Sequence, residues 1–494
     1  MKNTKYILGI AFLISIMPAC KKFVDYKPKE DYQITADDYL KTADDYKKMV
    51  VGTYSPLQWI WADVVIGDVA SDNAVSGGEN ATDQLGFQQI DDYTIVTNNS
   101  YLTEAWKSCY EGINRANYLE ENKAKLDFTG KDALYGEVYF LRAYYYFELV
   151  RLFGDVPLFV DKRLSVSESG SLQRAPKADV YTQIEKDLNN AINVLPITNQ
   201  QKGRITKYAA QALLGKILLY QNKFDEAAAM LENVVNGPFF SLVTNYGDIF
   251  LQAGENGTES VFEIQYSNVS PFYDWSNPGR GQGNLAVQVC GIRNLTGNSP
   301  YGQGWSTNLP TSNLANAFTT GDTRKDVTIL DIEAYKNANP SFNITYLTAP
   351  YKNTGLYNQK YLPRKGETSG QVELNYLNNF RTIRYADVLL MAAEANNRAT
   401  SPNDTKAQDY LNRVRRRAFA DTNHDIAANG AALKQAIWDE RRVEFAMEGD
   451  RFFDLVRTGQ AATKITGFVA GKNELFPIPQ QEVDISGLTQ NPGY

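Results

Sequence analysis

Cys20 stands where a thiol has a chemical use. Lys2 and Lys5 precede an apolar run from Tyr6 to Ile16, and Met17-Pro18-Ala19 lead into the cysteine. A basic start, a short greasy core and a small residue before a boundary make a secretory signal. The run falls short of the roughly 20 apolar residues that span a bilayer. Residues 1–19 are therefore expected to be a lipoprotein signal peptide, with Cys20 acylated and holding the mature chain to a membrane. An ordinary cleaved signal with Cys20 as a bystander is the alternative.

The remaining reactive inventory is small. Beyond Cys20 there are only Cys109 and Cys290, and His424 is the sole histidine. A disulfide framework is excluded and a His/Cys zinc site is effectively absent, although one Cys109–Cys290 bridge stays open. Cys109 falls in the helical stripe Leu102, Trp106, Cys109, Ile113, which reads as core. Asp421 to Asp425 begins like a calcium loop, but Ile426 replaces the required glycine and Ala432 the bidentate glutamate, so it reads as a polar linker. Glu440, Glu444 and Glu448 recur every four residues among Arg441, Arg442, Arg451 and Arg457. Glycoside hydrolysis needs carboxyls facing each other across a sugar, whereas this spacing places them in a row on one helix face, so they read as a structural ion-pair network. No cofactor and no catalytic residue is expected.

Removing Lys2 and Lys5 with the signal takes the formal charge from −7 to −9. The acidic body has no basic block, so nucleic acid is excluded as a partner. Hydrophobic residues make up 43% of the chain, ordinary for a soluble globular protein.

The elements that position these residues are mostly helical and come in pairs. Helices are predicted over 36–54, 101–122, 132–153, 176–194, 385–398 and 405–418, with a short strand at 260–266. The 132–153 segment carries one stripe through Leu134, Val138, Leu141 and Tyr145 and a second through Tyr135, Tyr139, Arg142 and Tyr146, so it is expected to be covered on two sides. Leu214, Gly215, Leu218, Phe224, Ala227, Leu231 and Pro238 fit the tetratricopeptide pattern of two packed helices. Several such pairs imply one continuous helical scaffold. Residues 239–380 turn to Gly, Asn, Ser, Tyr and Trp, and helical periodicity fades.

Several motifs, in order, resemble the SusD/RagB family of outer-membrane nutrient-binding lipoproteins. They are Cys20-Lys-Lys-Phe-Val-Asp25, Trp106 with Tyr110, Ile113, Asn114 and Asn117, the block GEVYFLRAYYYFELVRLFGDVPL from Gly136, RYADVLLMAAEA from Arg384, IWDERRVEFAMEGDRFFDLVR from Ile437 and the closing run LFPIPQQEVDISGLTQNPGY. The resemblance implies a mainly α fold: one SusD-like domain over 20–494, with a tetratricopeptide-like scaffold about 36–238 and 382–458 and a loop-rich, partly β ligand region about 239–380. It implies no enzymatic activity. It also implies a surface-exposed, lipid-anchored protein of the outer membrane that captures a glycan for a SusC-like TonB-dependent transporter. The same architecture serving a peptide or another nutrient, and a helical-repeat assembly protein without a small ligand, are the alternatives.

A sugar presents an apolar C–H face and an edge of hydroxyls, so its site needs exposed flat aromatics rimmed by planar polar groups. Phe272-Tyr273-Asp274-Trp275 with Asn277 and Arg280 satisfies this in a Gly/Asn/Ser context, and Asp72 with Asn73 lies in the loop between the first helices. The candidate ligand residues are Tyr273, Trp275, Arg280, Asp72 and Asn73. Loop aromatics are as often buried, and Asp72 and Asn73 equally suit turn capping. Trp59 and Trp61 could line core or mouth, and Trp305 reads as structural. Gly279, Gly281 and Gly283 read as spaced for flexibility.

Overall fold

Helices begin where the sequence supplies caps. The computed structural model describes residues 39–164, 168, 170, 172–269, 271–274, 281–369 and 373–494, so Cys20, Trp275 and Arg280 lie outside the described residues. Helix α1 (Ala43–Tyr54) opens with a capping box between Thr42 and Asp45. After the 3-10 turn Ser55–Trp59 come α2 (Ala62–Val69) and α3 (Leu85–Asp91). In α4 (Ser100–Glu121) the Asn99 side chain accepts from the amides of Tyr101 and Leu102.

Helix α5 (Lys131–Phe153) runs through the centre of the scaffold, and every residue from Tyr135 to Val150 is buried. The two expected stripes are thus both covered, the second one by polar chemistry. Arg142 donates a bidentate pair to Asp187 of α6 (Lys177–Val194) at 2.8 and 2.8 Å and a third bond to Asn117 of α4 at 2.9 Å. A planar guanidinium can join three helices in this way because its donors are fixed in a fork. Gly154 ends α5 at φ 74, where a left-handed residue is needed.

Next come the paired helices α7 (Lys207–Tyr220) and α8 (Phe224–Val235), and α8 packs on the later α10. A short α9 (Leu285–Cys290) precedes α10 (Tyr385–Arg398), which pairs with α11 (Asp404–Phe419). Helices α12 (Gly430–Glu444) and α13 (Arg451–Arg457) follow. The result is the expected mainly α, tetratricopeptide-like scaffold of helix pairs.

Strands are short and paired two by two, all antiparallel. Strand β1 (Ala74–Ser76) has β3 (Asn308–Pro310) as its partner, β2 (Ser260–Ile264) has β6 (Phe380–Arg384), and β4 (Ile329–Asp331) has β5 (Leu356–Asn358). The β1–β3 register sets Ala74 opposite Pro310, which fastens the loop after α2 to the segment after α9.

The charged C-terminal segment differs from expectation in shape. The chain leaves α12 at Glu444, and Met447 (φ 65) and Gly449 (φ 86) turn it before α13, so Glu448 lies in the turn and not on the helix face with Glu440 and Glu444. The ionic reading of the three glutamates holds. Glu444 meets Arg417 at 2.6 Å, Arg384 at 2.8 Å and Arg324 at 2.9 Å; Glu440 meets Arg324 at 2.6 Å; Glu448 meets Arg384 at 2.9 Å and Lys360 at 2.7 Å. Glu259, beside β2, adds bonds to Arg384 and Arg417 at 2.7 and 3.1 Å. Burial by itself would raise the Glu444 carboxyl, but the three guanidiniums outweigh it and hold the group far below the usual carboxylate range.

Cys109 and Cys290 are both buried and free, so the open possibility of a bridge is not realised. Among the described residues, no helix is long and apolar enough to cross a membrane, and no cluster of three or more His, Cys, Asp or Glu is arranged to hold a metal.

Candidate ligand site

Tyr273 is 1% exposed, packed with Trp59, Leu285 and Leu374. Its Gly/Asn/Ser surroundings in sequence suggested an uncovered ring, but Leu285 and Leu374 arrive from later in the chain and cover it. The buried ring offers no face to a sugar, which corrects the expected stacking role. Tyr273 instead anchors a loop. Its amide donates to Asn375 Oδ1 at 2.8 Å and its carbonyl accepts from Asn375 Nδ2 at 2.9 Å. The foot of that loop is closed by the Gln282 amide donating to the Pro271 carbonyl at 3.1 Å and the Ser267 amide donating to the Gln282 carbonyl at 2.9 Å. A Cβ on Gly281 would stand 2.2 Å from the Tyr273 nitrogen, and one on Gly283 would stand 2.4 Å from Asn375 Cα. These two glycines serve close packing, not flexibility. Phe272, next to the anchor, is 37% exposed.

Asp72 and Asn73 also have a different task from the one expected. Arg451 donates to both Asp72 oxygens at 2.7 and 2.9 Å, and Arg442 lies 3.2 Å from the same carboxylate. Burial pushes the Asp72 carboxyl up, yet Arg451 and Arg442 together hold it below its ordinary value. Asn73 is fully buried and accepts from Arg442 Nε at 2.9 Å. The Thr311 hydroxyl and amide close on the Asp72 and Asn73 carbonyls at 3.0 and 2.9 Å. The Asp72 carboxylate and the Asn73 Oδ1 are taken up in tying the loop to the C-terminal helices, and the Asn73 Nδ2, though without a partner, is buried away from any surface ligand.

The exposed chemistry lies one shell outward, on residues that the sequence left ambiguous. Trp61, at the start of α2, and Trp305 are both half-buried and pack against the Tyr273 cluster. Tyr101, in the first turn of α4, meets Trp61 edge to face with centroids 5.9 Å apart and stacks on Phe87 at 3.6 Å. Trp305 is held rigidly. Its amide donates to the Gln288 carbonyl at 2.9 Å, and with the Gln288 amide turned to suit its neighbours, the side-chain oxygen accepts from Trp305 Nε1 at 3.1 Å. The chain can lie this close to α9 because Gly291 and Gly304 face each other, where a Cβ on Gly304 would be 2.3 Å from Gly291 Cα.

Planar polar groups edge these rings. Arg293 donates to the Trp305 carbonyl at 3.0 Å and pairs with Asp83 and with Glu79. Tyr101 hydrogen-bonds Gln84. Glu79 is largely exposed and Asp83 partly so, giving the rim one more negative than positive charge. Three half-buried rings with carboxylates, an amide and a guanidinium near them offer the apolar surface and planar polar groups that a sugar's C–H face and hydroxyls require. A signal for Trp61 and Trp305 existed in the sequence only as tryptophans outside helical stripes; what distinguishes them from Trp59, 8% exposed, is tertiary packing.

Comparison with known proteins agrees with this architecture. Residues 258–474 match the SusD family and residues 22–219 match the family described as starch-binding associating with outer membrane. A solved laminarin-binding SusD-like protein is 34% identical, covers 92% of this chain and 100% of its own, and superimposes with a TM-score of 0.83. Surface glycan-binding protein A from Bacteroides thetaiotaomicron, solved in complex with laminarihexaose, is 27% identical over 91% of this chain and 99% of its own, with a TM-score of 0.78. SusD-like protein P2 of Formosa agariphila is 27% identical across 99% of this chain and 100% of its own length. With the identity to the laminarin-binding protein sustained over nearly its whole length, the chain belongs to the SusD/RagB family.

Proposed function

We propose that this protein is a cell-surface glycan-binding protein of the outer membrane. It holds a neutral oligosaccharide against Trp61, Tyr101 and Trp305, with Trp275 and Arg280, which lie outside the described residues, as further candidate contacts. The carrying observation is the set of half-buried rings edged by Glu79, Asp83 and Arg293. The rim's net negative charge disfavours uronate or sulfated chains. The laminarin-binding and starch-binding relatives support a neutral glucan. Lipidation at Cys20 holds the protein to the membrane, and it delivers its glycan to a SusC-like TonB-dependent transporter, since the scaffold has no means of moving a solute. It performs no catalysis.

Calorimetry of residues 21–494 against neutral laminari- and malto-oligosaccharides, uronate oligomers and peptides tests the ligand. A neutral glucan should bind, and Trp305→Ala should weaken it at least tenfold, the usual cost of truncating an aromatic anchor. Binding of peptides alone would refute the glycan reading. For the anchor and partner, Cys20→Ala should abolish lipid labelling, and mild-detergent extraction of wild type should recover a large β-barrel partner. Recovery only as a free monomer at every detergent strength would contradict the delivery role.

A further inference from the structure

A second concavity lies on the far side of Trp59. It has a volume of 530 Å³, within the range of about 300–1,000 Å³ typical of small-ligand sites, and its floor is the outer face of α4. The half-buried Tyr110 and Phe159 give it aromatic walls, and the largely covered Trp59 and Trp106 back them. Trp106 and Tyr110 have centroids 4.9 Å apart, and Tyr110 and Phe159 stack at 5.6 Å and 15°. These rings are set in place: the Tyr110 hydroxyl donates to the Pro157 carbonyl at 2.8 Å, and Asn117 Nδ2 holds the Phe159 carbonyl at 2.9 Å.

Polar groups of α4 line the same space. Asn114 is half-buried, and its side-chain amide has no partner among the described residues; Lys107 is exposed at the rim. Glu104, Glu111 and Glu482 also line the space, so its charge is negative and it repels anionic ligands. Rings with a free planar amide and carboxylates beside them make the same chemistry as the site at Trp61 and Trp305. The two are neighbours, because Trp59 is a wall of this pocket and also packs on Tyr273, against which Trp61 and Trp305 rest.

We infer that this pocket is a second saccharide site, taking the continuation of the same neutral glycan chain past Trp59. The inference rests on the glycan reading above. It makes recognition length-dependent: short oligosaccharides occupy only the Trp61–Trp305 site, whereas longer ones span both.

The test compares laminaribiose with laminarihexaose, or maltose with maltohexaose if the α-linked series is the one that binds. Wild type should bind the hexasaccharide at least tenfold more tightly than the disaccharide. In an Asn114→Ala, Lys107→Ala double variant that gain should fall about fivefold, the worth of lost hydrogen bonds of ordinary strength, with disaccharide affinity unchanged. Asn114→Trp, whose indole fills the pocket, should abolish the gain altogether while the melting temperature stays near that of wild type. Equal binding of the hexasaccharide by wild type and Asn114→Trp would overturn the second site and leave the glycan reading intact. Failure of every saccharide to bind would remove both.

Discussion

The C-terminal scaffold and the loop-rich region spend the same kinds of residue on opposite ends. Around Glu444, arginines and glutamates are withdrawn from water and paired with one another and with Asp322 and Lys360, with Arg324, Arg384 and Glu444 each at most 1% exposed. Around Trp305, three rings stop half-way to the surface, Arg293 and Asp83 are partly covered and Glu79 is largely exposed. The difference is one of completion. In the lattice every charge is answered by a fixed neighbour, so nothing is left to bind. At the rings, Trp61, Tyr101 and Trp305 each keep part of their surface accessible, and Glu79 is largely exposed. Asp72 shows that sequence position does not decide the matter: it lies in a surface loop's stretch of sequence and yet belongs, chemically, to the first kind.

The sharpest way to break this contrast is at Glu444. Glu444→Ala leaves Arg324, Arg384 and Arg417 facing one another without their shared carboxylate, and breaking a buried pair by removing one partner costs about 3–5 kcal/mol. Urea unfolding should show that loss; a change under about 1 kcal/mol would mean that the lattice is not held by charge completion. Acid gives the same reading. Glu444 is depressed against burial by Arg417, Arg384 and Arg324, and Glu394 against burial by Arg457. A depressed carboxyl contributes stability above its unfolded value and forfeits it as pH falls through that region, so melting temperature should decline below about pH 5. Glu444→Gln, already uncharged, should decline less steeply.

A smaller effect separates anchor from platform within the loop region. Tyr273→Ala removes a fully covered ring and should cost about 3 kcal/mol by cavity formation. Normal melting of that variant with lost glycan binding would restore Tyr273 as a ligand residue. Phe272→Ala, one residue away and 37% exposed, should change stability by no more than about 0.5 kcal/mol. Thermal melts of the two variants side by side measure the contrast directly.

Helices were legible because periodicity survives in a single segment. The α5 stripes and the α10–α11 pair are local facts, and the sequence carries local facts. Ring exposure is not legible in the sequence, because whether Tyr273, Trp61 or Trp305 faces water depends on Leu285, Leu374 and Gln288, which arrive from distant parts of the chain. Glu448 failed for a related reason: four-residue spacing implies a helix face only while the helix continues, and the left-handed Met447 and Gly449 end it first. The sequence offers Asp72 and Asn73 either as hydroxyl binders or as turn caps, because the arginines that claim them, Arg442 and Arg451, lie at its other end.

The closed foot beneath Tyr273 has a use outside this protein's own ligand. Asn375 grips both backbone groups of Tyr273, and the Gln282–Pro271 bond seals the other side, so both ends of the intervening segment are pinned independently of its composition. That is the property an evolving lineage, or an engineer, wants in a cassette. Side chains exchanged beside these two grips leave in place the main-chain bonds that close the foot of the loop, so sequence can change there without disturbing the helices behind it.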